Sequence, residues 1–186
     1  ATVADVAASL RELEYPEDPI QWTDADRAAL AEEIRARTKP LVIVANKADV
    51  APAENLQRLR ETDKPVIPTT ADGELALRSA AEAGVVDYDP GDEEFTIIGD
   101  VTDAQREGLN RIREVMTEYG GTGVQAAIDH AVYDLLDRIT VFPVQNETKW
   151  TDGTGNVLPD AVLLPHGSTP PDLAYAIHTD IGEGYL

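Results

Sequence analysis

The sequence has no cysteine, only four lysines, and no apolar run long enough to form a membrane-spanning helix. It also lacks a signal-peptide pattern, so a reducing cytoplasm is the expected compartment and no membrane contact is expected. Basic residues are scarce: 15 Lys and Arg stand against 35 Asp and Glu, a formal charge of -20. Such a surface repels nucleic acid at long range and keeps a chain in solution at the expense of self-repulsion. None of Lys39, Lys47, Lys64 or Lys149 follows a glycine, so a glycine-rich loop closing on a phosphate with its lysine is not encoded. The rest suffices for a packed globular chain: 186 residues, 42% of them hydrophobic, hold one ordinary domain or two small ones.

The most informative stretch is Leu41-Val42-Ile43-Val44-Ala45 followed by Asn46-Lys47-Ala48-Asp49. Five apolar residues, three of them β-branched, after a Lys39-Pro40 helix stop predict a buried parallel strand, covered on both faces, that delivers a site at its C-terminal end. The polar residues suit the edge of a guanine. The Asp49 carboxylate can accept from both N1–H and the exocyclic N2 amine, a donor pair that adenine does not offer. Lys47 can lay its aliphatic stem across the purine plane, and Asn46, both donor and acceptor, can bind the base and brace a neighbouring loop. This spacing resembles the guanine-specificity motif of GTPases. An amphipathic segment, Glu54 to Arg60, and a second short strand, Pro65 to Pro68, then lead to Thr69-Thr70-Ala71. The order is that of a GTPase, and the resemblance implies that a backbone N–H of the Thr70-Ala71 pair meets the guanine O6.

Around this centre the pattern is helical. Val3 to Leu13 carries an apolar stripe ended by Pro16 and Pro19, and Thr23 caps a helix from Ala25 to Arg37 with acids in its first turn and arginines in its last. Helix, strand, helix and strand from Ala25 to Thr70 predict a parallel α/β sheet with right-handed crossovers. An Ala-rich helix spans Glu74 to Ala83, then Val85 to Tyr88 and Phe95 to Ile98 flank an acidic turn whose spacing does not suit a calcium loop. Thr102 caps a helix to about Tyr119, with Leu109, Ile112, Val115 and Met116 on its apolar face. Gly120-Gly121-Thr122-Gly123 reads as a linker, since no Lys-Ser/Thr follows it, before a helix from Val124 to Ile139. In that helix Ala127, Ile128, Ala131, Val132, Leu135 and Leu136 form the expected buried stripe, leaving His130 and Asp134 to solvent or a local ion pair. Asp152-Gly153-Thr154-Gly155 reads as a turn, and His166 and His178, in a turn and at a helix end, do not read as metal ligands. No catalytic residue is expected in this chain.

From Ile139 the period shortens to strands. Ile139 to Val144 and Leu158 to Leu164 precede a glycine turn and a helix, Pro171 to Thr179, with Leu173, Ala176 and Ile177 turned inward. The segment from Leu164 through Pro165-His166-Gly167-Ser168-Thr169 to His178 resembles the TGS domain, a small ubiquitin-like module. Taken together these stretches resemble an archaeal GTPase of the Obg-like group, and the acidic, arginine-over-lysine composition is similar to that of a halophile. The resemblance implies an α/β fold: the C-terminal part of a P-loop GTPase parallel sheet, then a helical segment and a partial β-grasp (TGS-like) module. It implies the end of a helical insertion over 1–22, the C-terminal, guanine-recognition part of a GTPase domain over 23–84, a helical or α+β extension over 85–138 and a partial TGS-like β-grasp domain over 139–186. The implied ligand is GTP, with Mg2+ in an intact parent whose phosphate and magnesium motifs precede residue 1. The implied partner is the ribosome or an RNA, through the TGS-like region. The competing expectation is a non-catalytic RNA- or protein-binding module acting through that same region, against which the absence of a basic cluster weighs.

Overall fold

The computed structural model describes residues 1–13 and 18–185, and its backbone contacts divide the chain into two compact units, Ala1–Ala127 and Ile128–Leu186. Pro16, expected to stop the first helix, lies outside the described residues.

In the first unit, α1 (Val3–Glu12) and α2 (Asp24–Thr38) each begin at a threonine whose hydroxyl accepts from the third helical N–H while the Asp at that position answers the cap. These capping boxes, at Thr2 and Thr23, satisfy amides that a helix cannot satisfy internally. The two helices pack on each other, and Arg37 of α2 reaches Glu12 of α1 at 2.9 Å. A parallel pair follows: β1 (Ile43–Asn46) and β2 (Val66–Thr69) run in register from Ile43 opposite Val66 to Asn46 opposite Thr69, connected through α3 (Ala53–Arg60). This is the expected α/β crossover. Cover on both faces is not found: Val44 remains 46% exposed and Leu41 41%. Alternation along the strand puts Ile43 and Ala45 on one face and Val44 on the other, and an apolar run does not itself state what will pack on each.

The core of this unit sits further along. Helix α4 (Ala71–Glu82) starts three residues before the expected Glu74, because Thr70 caps it by accepting from the Gly73 N–H at 3.3 Å. Strands β3 (Val86–Asp87) and β4 (Thr96–Ile97) form an antiparallel clip, and α5 (Asp103–Tyr119) runs from the Thr102 capping box to Gly120, a left-handed stop at φ 77°. Leu77 of α4, Val86, Tyr88, Phe95, and Leu109 with Met116 of α5 form one buried cluster. Val115 is buried as expected and Ile112 packs at the edge of the cluster.

α6 (Val124–Asp129) runs straight into a π-helical turn, His130–Leu135, and does not reach Ile139. The wider turn breaks the 3.6-residue register on which the expected stripe depended, and Ile128 and Leu136 are left half exposed. The local pair is present, with His130 Nδ1 2.7 Å from Asp134 Oδ2.

In the second unit, β5 (Arg138–Val141) pairs antiparallel with β6 (Val162–Pro165), and α7 (Pro170–Ile177) packs on β6. α7 does not continue to Thr179. His178 is extended, and its Nδ1 accepts from the Asp180 N–H at 3.2 Å to cap a separate short helix, α8 (Thr179–Glu183). The inward face differs accordingly: Ala174 is buried and Leu173 partly so, while Ala176 and Ile177 are exposed. Gly182 of α8 closes on the Tyr175 ring, leaving no space for a side chain. Asp152 makes the expected turn, accepting from the Thr154 and Asn156 N–H groups at 2.8 and 2.9 Å. The Asn156 side chain first, and then these amides and the Thr154 hydroxyl, hold its carboxyl down at about 2.

Candidate guanine-recognition site

The site lies where β1 and β2 end together. At Asn46 the strand gives way to a turn in which Lys47 takes a left-handed backbone conformation, φ 67°, a state that costs a non-glycine residue about 1–2 kcal/mol. Such strain persists only where surrounding bonds fix it. Here the Lys47 carbonyl accepts from the Val50 and Ala51 N–H groups at 3.1 and 2.9 Å, and the Ala48 N–H donates to the Thr69 carbonyl at 3.0 Å. The turn is thereby tied both to itself and to the end of β2. Lys47 and Asp49 are both exposed.

Asn46 joins the two halves. Its Oδ1 accepts from the Lys47 N–H at 2.8 Å and, across 25 positions of sequence, from the Ala71 N–H at 3.0 Å. The side chain therefore holds the strained turn and the start of α4 in one arrangement. All five expected site residues, Asn46, Lys47, Asp49, Thr70 and Ala71, stand at this one end of the strand pair. The Thr70 and Ala71 amides are engaged within the chain, Thr70 N–H with the Thr122 carbonyl at 2.9 Å and Ala71 N–H with Asn46. At the second position of α4 the Asp72 amide has no intrahelical acceptor, so a helix N-terminus with its partial positive charge faces this end.

A set of residues unremarked in the sequence lies behind it. Glu74, 4% exposed, receives three donors: Arg78 Nε at 2.7 Å, the Tyr88 hydroxyl at 2.6 Å and the Thr122 hydroxyl at 2.5 Å. Burial pushes its carboxyl up, but the bonds from Thr122, Tyr88 and Arg78 outweigh burial and hold it below the ordinary glutamate value. Thr122, itself 4% exposed, belongs to the stretch expected as a linker; instead it is fastened to the candidate site. Its partners lie 48 and 52 positions away, and no local pattern announces them.

For Tyr88 the same arrangement works in the opposite sense. Burial first, and then its bond to the Glu74 carboxylate, raise the phenol from 10.0 to about 12. The fold thus favours the neutral phenol, and the stability this contributes is complete below pH 10 and is lost as pH rises toward 12. The loss amounts to about 2 kcal/mol. Tyr88→Phe is expected to remove this part of the alkaline loss, read as urea midpoints of both proteins across that interval; parallel curves would refute the assignment.

A groove of about 450 Å³ runs between α4 and α5 and is lined by residues such as Ala76, Ala80, Val101 and Ile112, none of them expected at the site. Among the described residues no three His, Cys, Asp or Glu side chains converge as a metal site. No helix among them is long and apolar enough to cross a membrane.

Residues 44–146 match the family described as Obg-like GTPase YGR210-like, G4 motif-containing domain, and residues 154–186 match the TGS domain. An uncharacterized GTP-binding protein of Methanocaldococcus jannaschii is 44% identical over 185 residues, which is 98% of this chain and 47% of the relative. An uncharacterized GTP-binding protein of Schizosaccharomyces pombe is 30% identical over 143 residues, 70% of this chain and 35% of the relative. The crystal structure of a GTP binding protein from Pyrococcus horikoshii OT3 superimposes with a TM-score of 0.67 at 41% identity, covering 100% of this chain and 49% of that one. The chain spans less than half the length of each of these relatives.

Proposed function

Because the chain belongs to the Obg-like GTPase family, with a match to the TGS domain at its C-terminal end, we propose that it reads the guanine base of GTP through Asn46, Lys47, Asp49, Thr70 and Ala71. The observation that carries this reading is the bond from the Ala71 N–H to Asn46 Oδ1, which draws the two base-reading segments into one structure. Asp49 accepts from guanine N1–H and N2–H. The stem of Lys47 covers a purine face, and amides at the start of α4 meet O6, where adenine would present an amine donor instead of an acceptor. Discrimination by hydrogen bonding is strong because the wrong base leaves polar groups unpaired.

Most nucleotide affinity in such proteins comes from the phosphates, held by a glycine-rich loop, its lysine and magnesium. Residues 1–186 encode no such loop, so on this reading these residues supply base selection while phosphate binding and hydrolysis by a positioned water rest on other groups. The test is competition between GTP and ATP for the protein expressed from its complete reading frame. A clear preference for GTP is expected; equal affinities would overturn the reading.

The TGS-like unit is read as the contact to RNA or the ribosome, in the cytoplasm. Support comes from half-exposed aromatic rings, Phe142, Trp150 and Tyr175, of the kind that stack on unpaired bases. The net charge of -20 works against long-range attraction. The same composition fits an internal medium of high salt, in which repulsion is screened within about 3 Å at 1 M. Binding to ribosomal RNA that rests on stacking should therefore fall little between low and high salt; a steep log–log salt slope would instead assign it to phosphate contacts.

A further inference from the structure

Thr122 and Glu74 stand outside the residues that face the base, yet they determine where the start of α4 lies. The Thr122 carbonyl accepts from the Thr70 N–H at 2.9 Å, and its hydroxyl donates to Glu74 Oε2 at 2.5 Å. Thr70 is the cap of α4 and Glu74 lies in its first turn, so one residue grips both ends of that turn. All three are buried, at 1%, 4% and 4% exposure for Thr70, Glu74 and Thr122. Behind Thr122, Gly123 presses against the end of β2 so closely that a Cβ there would stand 1.9 Å from the Pro68 carbonyl oxygen. Glu74 is in turn fixed by Arg78 and Tyr88.

Resting on the guanine reading above, we infer that Thr122, held by Glu74, is a positioning residue that sets the start of α4, and with it the Asp72 amide, against the guanine O6. The physical reason is geometric. Hydrogen bonds weaken steeply with misalignment, and a recognition constellation works only when its own supports hold it to within about 0.5 Å. Asn46 restrains this segment from β1 at Ala71, and Thr122 restrains it at Thr70. With the second restraint loosened, the Asp72 amide, which has no intrahelical acceptor, loses its aim while the Lys47–Asp49 turn, tied to Thr69, keeps its own.

This separates the two edges of the base, and two nucleotides report on them. 6-Thio-GTP keeps N1–H and the N2 amine but replaces O6 by sulfur, a larger and weaker acceptor; inosine triphosphate keeps O6 and N1–H but lacks the N2 amine. Affinities of GTP, 6-thio-GTP and inosine triphosphate are measured by displacement of a fluorescent GTP analogue from the protein of the complete reading frame. Thr122→Ala is expected to lower the preference for GTP over 6-thio-GTP about three- to tenfold, the size of one neutral hydrogen bond. The preference for GTP over inosine triphosphate should stay unchanged, and Thr122→Ser, which retains the hydroxyl, should restore the first ratio.

A Thr122→Ala protein that melts cooperatively and keeps the full GTP to 6-thio-GTP ratio overturns the inference. So does an equal fall in both ratios, which marks a general loosening of the site. Should Thr122→Ala not fold, Tyr88→Phe takes its place, since it removes one donor from Glu74 and leaves Thr122 intact; a roughly twofold fall in the 6-thio-GTP ratio is expected and no change overturns the inference. Equal affinities for GTP and inosine triphosphate in the unsubstituted protein would overturn the guanine reading itself, a different result from either of these.

Discussion

Asp49→Asn is expected to abolish the preference for GTP over ATP and to raise the affinity for xanthosine triphosphate. The carboxylate of Asp49 is exposed at the end of a turn that Lys47 and Thr69 hold rigidly, so the substitution changes the base-reading group without disturbing packing. An Asp offers acceptors only, matching the two donors on the N1–N2 edge of guanine; an Asn offers one acceptor and one amine. Against guanine the amine of the substituted side chain opposes the N2 amine, and one charge-assisted bond is lost with the charge. The expected penalty is about 2–4 kcal/mol, or roughly 30- to 1000-fold in affinity. Xanthine carries an oxygen where guanine carries N2, so the same amine finds an acceptor and the new protein should favour it. That gain distinguishes a changed base reader from a damaged fold. A GTP to ATP ratio that survives Asp49→Asn would show that the base is selected elsewhere in the molecule.

What could be read before the structure was whatever is decided within a few residues. The capping boxes at Thr23 and Thr102, the stop at Gly120 and the His130–Asp134 pair are all interactions across three or four positions, and each stands where local chemistry places it. The strand β1 was legible for the same reason: an apolar run that stops at Asn46 states where it ends. The exposure of Val44, the π-helical turn after Asp129 and the inward turn of Ala174 rather than Ile177 were not, because each depends on what packs against the segment. The Glu74 network is the clearest case. Alone, Glu74 is an acid in a first helical turn, Tyr88 an aromatic before a turn and Thr122 a polar residue among glycines. Only the fold, bringing together residues 14 and 48 positions apart, turns them into one buried structure.

Gly123→Ala should be the most destabilising glycine-to-alanine change in the first unit, with a loss of about 2–5 kcal/mol. Part of this is conformational: Gly123 lies at φ 80°, where a Cβ costs about 1–2 kcal/mol. The larger part is steric. The new methyl would stand 1.9 Å from the Pro68 carbonyl oxygen and 3.0 Å from Thr69 Cα, and both are backbone atoms of β2 that cannot swing aside as a flexible side chain would. Residues 120–123 must therefore withdraw, which parts the Thr122 carbonyl from the Thr70 N–H and the Thr122 hydroxyl from Glu74. A buried donor or acceptor left without a partner costs about 1–3 kcal/mol, which brings the sum to the stated range. Gly84→Ala is the matched control, because Gly84 also has a positive φ, 69°, but nothing within 4 Å of the added carbon. It should lose only the conformational part, about 1–2 kcal/mol. Urea unfolding of the two variants, compared through midpoints at unchanged slope, measures the difference directly. If Gly123→Ala is no less stable than Gly84→Ala, the 120–123 bracket does not clamp the end of β2, and the positioning role drawn for Thr122 fails with it.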